Sequence, residues 1–105
     1  MFKIKFSNYV YEDTESSINY IKFVLQNPIA AQKLKKEIKK AYRKIKENPF
    51  IYPSVPVEHL AARGYRFIMV MNYMLFFRVK EKIINVERLL YGPRDWINIL
   101  GNMNQ

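Results

Sequence analysis

The chain opens on an alternation. In FKIKF, residues 2–6, Phe2, Ile4 and Phe6 alternate with Lys3 and Lys5, the pattern of a short strand with one buried face. Ser7 and Asn8 break it. In YEDTESSINYIKFVLQN, Asp13 or Thr14 can cap a helix, with Glu15 in its first turn. Ile18, Ile21, Val24 and Leu25 then follow at helical spacing. Asn27-Pro28 ends that helix, because a residue before proline avoids the α region, and Pro28 can begin the next one. The second helix carries the clearest period. Ala30, Leu34, Ile38, Ala41 and Ile45 form its apolar seam, and Asn48-Pro49 closes it. Two amphipathic helices joined at a proline predict an antiparallel hairpin.

Residues 49–63 hold Pro49, Pro53 and Pro56 and read as an irregular connection. Three strand-like runs follow, at 65–70, 73–79 and 83–90. Tight turns separate them, around Met71-Asn72, where asparagine tolerates positive φ, and at Lys80-Glu81-Lys82. Gly92-Pro93 stops the third run. Asp95 can cap a last short helix at 96–100, and the tail GNMNQ is expected to fray. The order is strand, helical hairpin, three-stranded antiparallel meander, short C-terminal helix. The expected fold is α+β: one antiparallel sheet with the helical pair on one face, in a single domain spanning 1–105.

Charge changes the picture. Eighteen Lys and Arg stand against nine Asp and Glu, a formal net charge of +9. So basic a surface favours a polyanion or an acidic protein partner. On the second helix Lys33, Lys36, Lys40, Arg43 and Lys44 lie between the seam positions, either a nucleic-acid or target-binding face or a solvated one. The residues for most cofactor chemistry are missing. There is no cysteine, one histidine (His59), and only Gly64, Gly92 and Gly101 for a phosphate loop. No carboxylate cluster suggests a divalent ion. No metal and no cofactor are expected. The N-terminus has no apolar signal core and no run approaches a membrane span, so a cytoplasmic protein without membrane contact is expected.

In GYRFIMVMNYMLFFRV, residues 64–79, the apolar residues read as core and Arg66 does not. A buried arginine needs a partner, and Glu87 or Asp95 can supply one. Alternatively the meander brings Arg66, Arg88 and Arg94 toward one sheet face, as a guanidinium cluster suited to phosphate.

Four segments, NPIAAQKL, ENPFIYP, GYRFIMVMNYMLFFRV and NVERLLYGPRDW, resemble in order and spacing the RelE/ParE superfamily of bacterial type II toxins. The resemblance covers nearly the whole chain and implies the same fold plan. It implies a cognate antitoxin that wraps the toxin, and one of two targets. RelE-like members are metal-free endoribonucleases acting on mRNA at the ribosome, whereas ParE-like members bind DNA gyrase. Arg66 matches the arginine that holds the scissile phosphate in RelE-like enzymes, and Arg94 the region of a second one. Tyr91 stands where some relatives have a histidine, and Leu100 where others have a tyrosine. Acid and base are therefore poorly provided, with only Glu58, His59 and Tyr91 at hand. The reading leans to a ParE-like growth-arresting toxin that binds gyrase. The alternatives are a RelE-like nuclease using Arg66, Arg94 and Tyr91, and a degenerate toxin that keeps only antitoxin binding. Phe76, Phe77, Tyr65 and Tyr73 are expected in the core or in an antitoxin groove.

Overall fold

Asn27 and Pro28 start the longest element. The Asn27 Oδ1 accepts from the Ala30 amide at 3.0 Å, and Pro28 fills a first-turn position that needs no amide hydrogen. Helix α2, Pro28–Glu47, is about 30 Å long at 1.5 Å per residue. It buries Ala31, Leu34, Ile38, Ala41 and Ile45; Ala31 takes the place expected for Ala30, which is half-buried. Asn48 ends it, then caps a 3₁₀ turn, Pro49–Ile51, by accepting from the Phe50 amide. This computed structural model describes residues 1–103.

Strand β1 spans Lys3–Phe6. Ser7 does more than break it. Its Oγ accepts from the Val10 amide at 3.0 Å and so caps helix α1, Asn8–Asn19. The helix therefore begins well before Asp13 and Thr14, neither of which is its cap. The Thr14 hydroxyl donates back to the Val10 carbonyl. Helix α1 continues into a π-helical turn, Tyr20–Val24. The connection 49–63 includes, besides the 3₁₀ turn, a one-turn helix α3, Glu58–Ala61.

The meander is β2 (Arg66–Val70), β3 (Tyr73–Lys80) and β4 (Ile83–Tyr91). Met71, not Asn72, takes the positive φ in the first turn, and Glu81 takes it in the second. The sheet order is β1-β4-β3-β2, with β1 parallel to β4. The sheet is thus mixed rather than wholly antiparallel. The crossover through the helical hairpin carries the chain around to let the first strand lie beside the last. Helix α4, Trp96–Gly101, is capped as expected, the Asp95 side chain accepting from the Asn98 amide. Arg63 donates to the carbonyls of Gly101 and Met103, so the start of the tail is held. The rest of the tail lies outside the described residues.

Both faces of the sheet are covered. On one side α1 and α2 pack over Leu75, Phe77, Ile84, Val86 and Leu89. On the other, Leu60 of α3 and Leu100 of α4 close over Tyr65, Met74, Phe76 and Leu90. A two-sided core explains why residues 74–77 are all buried, a continuous apolar run instead of an alternation. Phe76, Phe77 and Tyr65 are therefore core, whereas Tyr73 is half-buried and Tyr91, at the end of β4, is exposed. Trp96 packs on Phe76, at 5.5 Å between ring centroids.

Tyr65 sits in the second core with its hydroxyl buried and without a hydrogen-bond partner. Burial raises its pKa above the usual tyrosine value, against the lowering influence of Arg78 and Arg63. The native state keeps this proton where the unfolded chain releases it. The associated stability is complete below the ordinary tyrosine pKa near 10 and is lost as pH rises through the higher native value. Tyr65→Phe removes the orphan group. It is expected to raise stability by roughly 1 kcal/mol at neutral pH and to flatten the alkaline fall. Thermal unfolding at pH 7 and at about pH 10.5 checks both.

Candidate functional site

The surface features divide between two ends of the sheet. Arg66 opposes Phe77 in the ladder, while the far end of the same strand, Val70, opposes Tyr73, which opposes Tyr91. Those four residue steps along β2 amount to about 14 Å.

At the Tyr91 end lies an open groove of about 920 Å³, between the outer side of α1 and the β2–β3 turn. Tyr20, Ile21 and Leu25 form one wall; Met71, Tyr73 and Tyr91 form the other. Tyr73 and Tyr91 meet edge-on at 5.6 Å. Gly92 straps this end together. Its amide donates to the Asn72 carbonyl at 2.8 Å, and a Cβ there would lie only 3.2 Å from that oxygen. Arg94 follows on the rim, exposed.

The groove owes its apolar lip to the π turn. The Leu25 amide bonds to the Tyr20 carbonyl five residues back, so the turn holds one more residue than an α turn. The faces beyond it rotate by roughly 100°. Val24 and Leu25, which helical spacing assigns to the core, are instead 65% and 55% exposed, while Ile21 stays buried. Gln26, at φ 50°, then completes the reversal into α2.

Beside the groove, α1 seals an open sheet edge. β1 stops at Phe6, leaving the outer edge of the rest of β4 unpaired, while its other edge stays paired with β3. Ser7 donates its amide to the Val86 carbonyl and its hydroxyl to the Glu87 carbonyl. Asp13 accepts from the Leu89 amide at 3.0 Å and, with both oxygens, from Arg88 at 2.8 Å. Arg88 also stacks on Tyr9. The Asp13 hydrogen bonds are the main cause of its raised pKa. Arg88 is thus committed to a half-buried ion pair.

At the opposite end, the Arg66 Nη1 donates to the Tyr52 carbonyl at 2.6 Å, and the guanidinium lies over Phe50. Neither Glu87 nor Asp95 is its partner. Glu87 pairs with Arg78, and Asp95 is occupied with Asn98. Phe50 meets Phe2 edge-on, and Lys82 lies over Phe2. Between the two ends runs the exposed face of α2, with Lys33, Lys36, Lys40, Arg43 and Lys44 all exposed. The described residues include only two ion pairs, Arg78–Glu87 and Arg88–Asp13, so these cations form none with the protein's own carboxylates.

The structure brings Tyr91 and Arg94 together in the groove region. It does not bring Arg66 or Arg88 to them as a cluster. Glu58 and His59 are exposed on α3. Sequence reasoning missed Asp13, Tyr9 and Tyr20 as surface-shaping residues. The tyrosine-rich, apolar-poor start of α1 is a signal for Tyr9 and Asp13, and none marks Tyr20.

The solved structure described as "Chromosomal ParDE TA system from P. aeruginosa" superposes with a TM-score of 0.71 at 22% identity. The match covers 87% of this chain and 96% of that one. A family model for the ParE toxin of the type II toxin-antitoxin system, parDE, matches residues 4–96. The chain belongs to the ParE toxin family, within the RelE/ParE superfamily that its sequence resembles. Such a toxin has a cognate ParD antitoxin as partner. No curated protein sequence matches the chain. Among the described residues, no helix is long and apolar enough to cross a membrane.

Proposed function

We propose that this ParE-family toxin arrests growth by binding DNA gyrase in the cytoplasm, without catalysis, and is silent while its antitoxin is bound. The observation that carries the reading is the separation of the candidate catalytic groups. Metal-free RNA cleavage needs cations on the phosphate and an acid and base within reach of it. Arg66 holds a backbone carbonyl at one end of the sheet, Arg94 stands at the other, and Arg88 is tied to Asp13. The tyrosine- and leucine-lined groove is the seat for an apolar segment of the antitoxin, a chemistry typical of interface cores. The exposed cations Lys33, Lys36, Lys40, Arg43 and Lys44 steer the toxin to an acidic target surface.

Purified toxin is expected to inhibit gyrase supercoiling of relaxed plasmid and to leave mRNA intact in a reconstituted translation reaction. Ribosome-dependent cuts within the reading frame, mapped by primer extension, would overturn the proposal and return Arg94 and Tyr91 to catalysis.

A further inference from the structure

The segment ENPFIYP has no part in the groove, yet it holds two exposed large apolar side chains side by side. Phe50 is 54% and Ile51 66% exposed. Their turn is held from every side. Asn48 caps it, Pro49 is buried beneath it, and Arg66 fixes the Tyr52 carbonyl. The Pro53 carbonyl accepts from the Phe67 amide, and Val55 donates to the Tyr65 carbonyl. Exposed apolar residues on a fixed turn lose little conformational entropy when they bind.

Their surroundings are cationic. Arg66 lies over Phe50 at 5.4 Å, Phe50 meets Phe2 at 5.8 Å, and Lys82 lies over Phe2 at 5.1 Å. The result is a ladder of cation, ring, ring and cation across one end of the sheet. Lys3 and Lys46 are exposed on the adjoining strand and helix end, and together with Arg66 and Lys82 they outweigh the neighbouring acids Glu47 and Glu81. Aromatic and arginine anchors within a charged rim are the usual anatomy of binding hot spots.

We infer that Phe50 and Ile51, flanked by Arg66 and, across Phe2, by Lys82, are the surface by which the toxin engages its target, inserting into an apolar pocket on an acidic folded protein. This rests on the reading of the chain as a binding toxin and adds the face that it uses. Shape decides between the toxin's two partners. A long groove accepts a segment of chain, and the groove lies at the far end of the sheet. Two protruding side chains on a rigid turn need a pocket in a folded surface. Charge decides the partner's sign, since nothing but an acidic rim complements this one.

The test uses Ile51→Asp, which places a carboxylate where the acidic partner must come, at a site contributing little to the core. Phe50→Ala serves as a second variant on the other anchor. Each is compared with the wild type for growth arrest on expression, gyrase inhibition, affinity for purified ParD, melting temperature, and binding to a labelled oligothymidylate. Both variants are expected to lose growth arrest and about tenfold or more in potency against gyrase, with ParD affinity kept within about twofold. Full growth arrest in both variants would overturn the inference. So would a loss of ParD affinity in place of toxicity, or a loss of oligonucleotide binding with gyrase inhibition intact. If the wild type arrests growth without inhibiting gyrase, the gyrase reading falls. Loss of arrest in the variants then still supports this face, against another acidic protein. A wild type that arrests nothing overturns both.

Discussion

Replacing Asp13 with alanine is expected to lower the melting temperature by roughly 15 °C, because one carboxylate serves three donors in a half-buried site. Its oxygens accept from the Arg88 Nε and Nη2 at 2.8 Å each and from the Leu89 amide at 3.0 Å. The two side chains are only 9% and 13% exposed. Without Asp13 the guanidinium keeps its charge, since arginine does not give up its proton at any ordinary pH, and the Leu89 amide loses its acceptor. Breaking such a pair from one side costs about 3–5 kcal/mol, far more than a surface ion pair. Arg88→Met removes the stranded charge. In Asp13→Ala/Arg88→Met the losses should therefore not add, with a coupling of about 2 kcal/mol in a double-mutant cycle read by thermal unfolding. Additive losses would mean that the pair contributes nothing beyond its separate packing.

That ion pair also marks a boundary in what the sequence discloses. Helix α2 was legible because every device for it is local: Asn27-Pro28 at one end, Asn48-Pro49 at the other, and a seam at three- and four-residue spacing. The meander was legible for the same reason, as β-rich runs with short turns. The start of helix α1 is not legible in the sequence, because the helix does not follow the amphipathic rule. It packs beside a strand edge through Ser7, Val10 and Asp13, and polar side chains there replace a missing strand. The partner of Asp13 lies 75 residues away, beyond any local pattern. The parallel register of β1 on β4 is set by the crossover and leaves no trace in FKIKF. At the candidate site, periodicity assigned Val24 and Leu25 to the core. The extra residue of the π turn brings them to the surface, and only backbone hydrogen bonding reveals it. Arg66 stands out in the sequence as a residue the core does not explain, and its partners are a carbonyl and a ring rather than a carboxylate.

The groove carries the second large effect. Leu25→Glu combined with Tyr91→Ala is expected to weaken ParD binding by roughly two to three orders of magnitude, since truncating interface anchors costs about 2 kcal/mol each. Leu25 and Tyr91 are 55% and 48% exposed, so the free toxin should melt within about 2 °C of the wild type. Titration of purified toxin with ParD measures the loss, and unchanged affinity would place the antitoxin elsewhere. In cells the consequence is the reverse of that expected for Ile51→Asp. The groove variant should still arrest growth but escape rescue by ParD, because its target-binding end is untouched. The Ile51 variant should be captured by ParD and harmless even without it. The two ends are separated by the length of β2, so neither substitution touches the other's contacts and their effects on binding should be independent. Neutralisation then cannot depend on the groove alone. An antitoxin seated there must either extend along the toxin to shield Phe50 and Ile51 without drawing affinity from them, or hold the toxin in an assembly too bulky for those residues to enter a pocket. Fusing only the groove-binding segment of ParD to an inert carrier separates these. Tight binding with full rescue means that bulk is sufficient, and tight binding without rescue means that coverage of the far end is required.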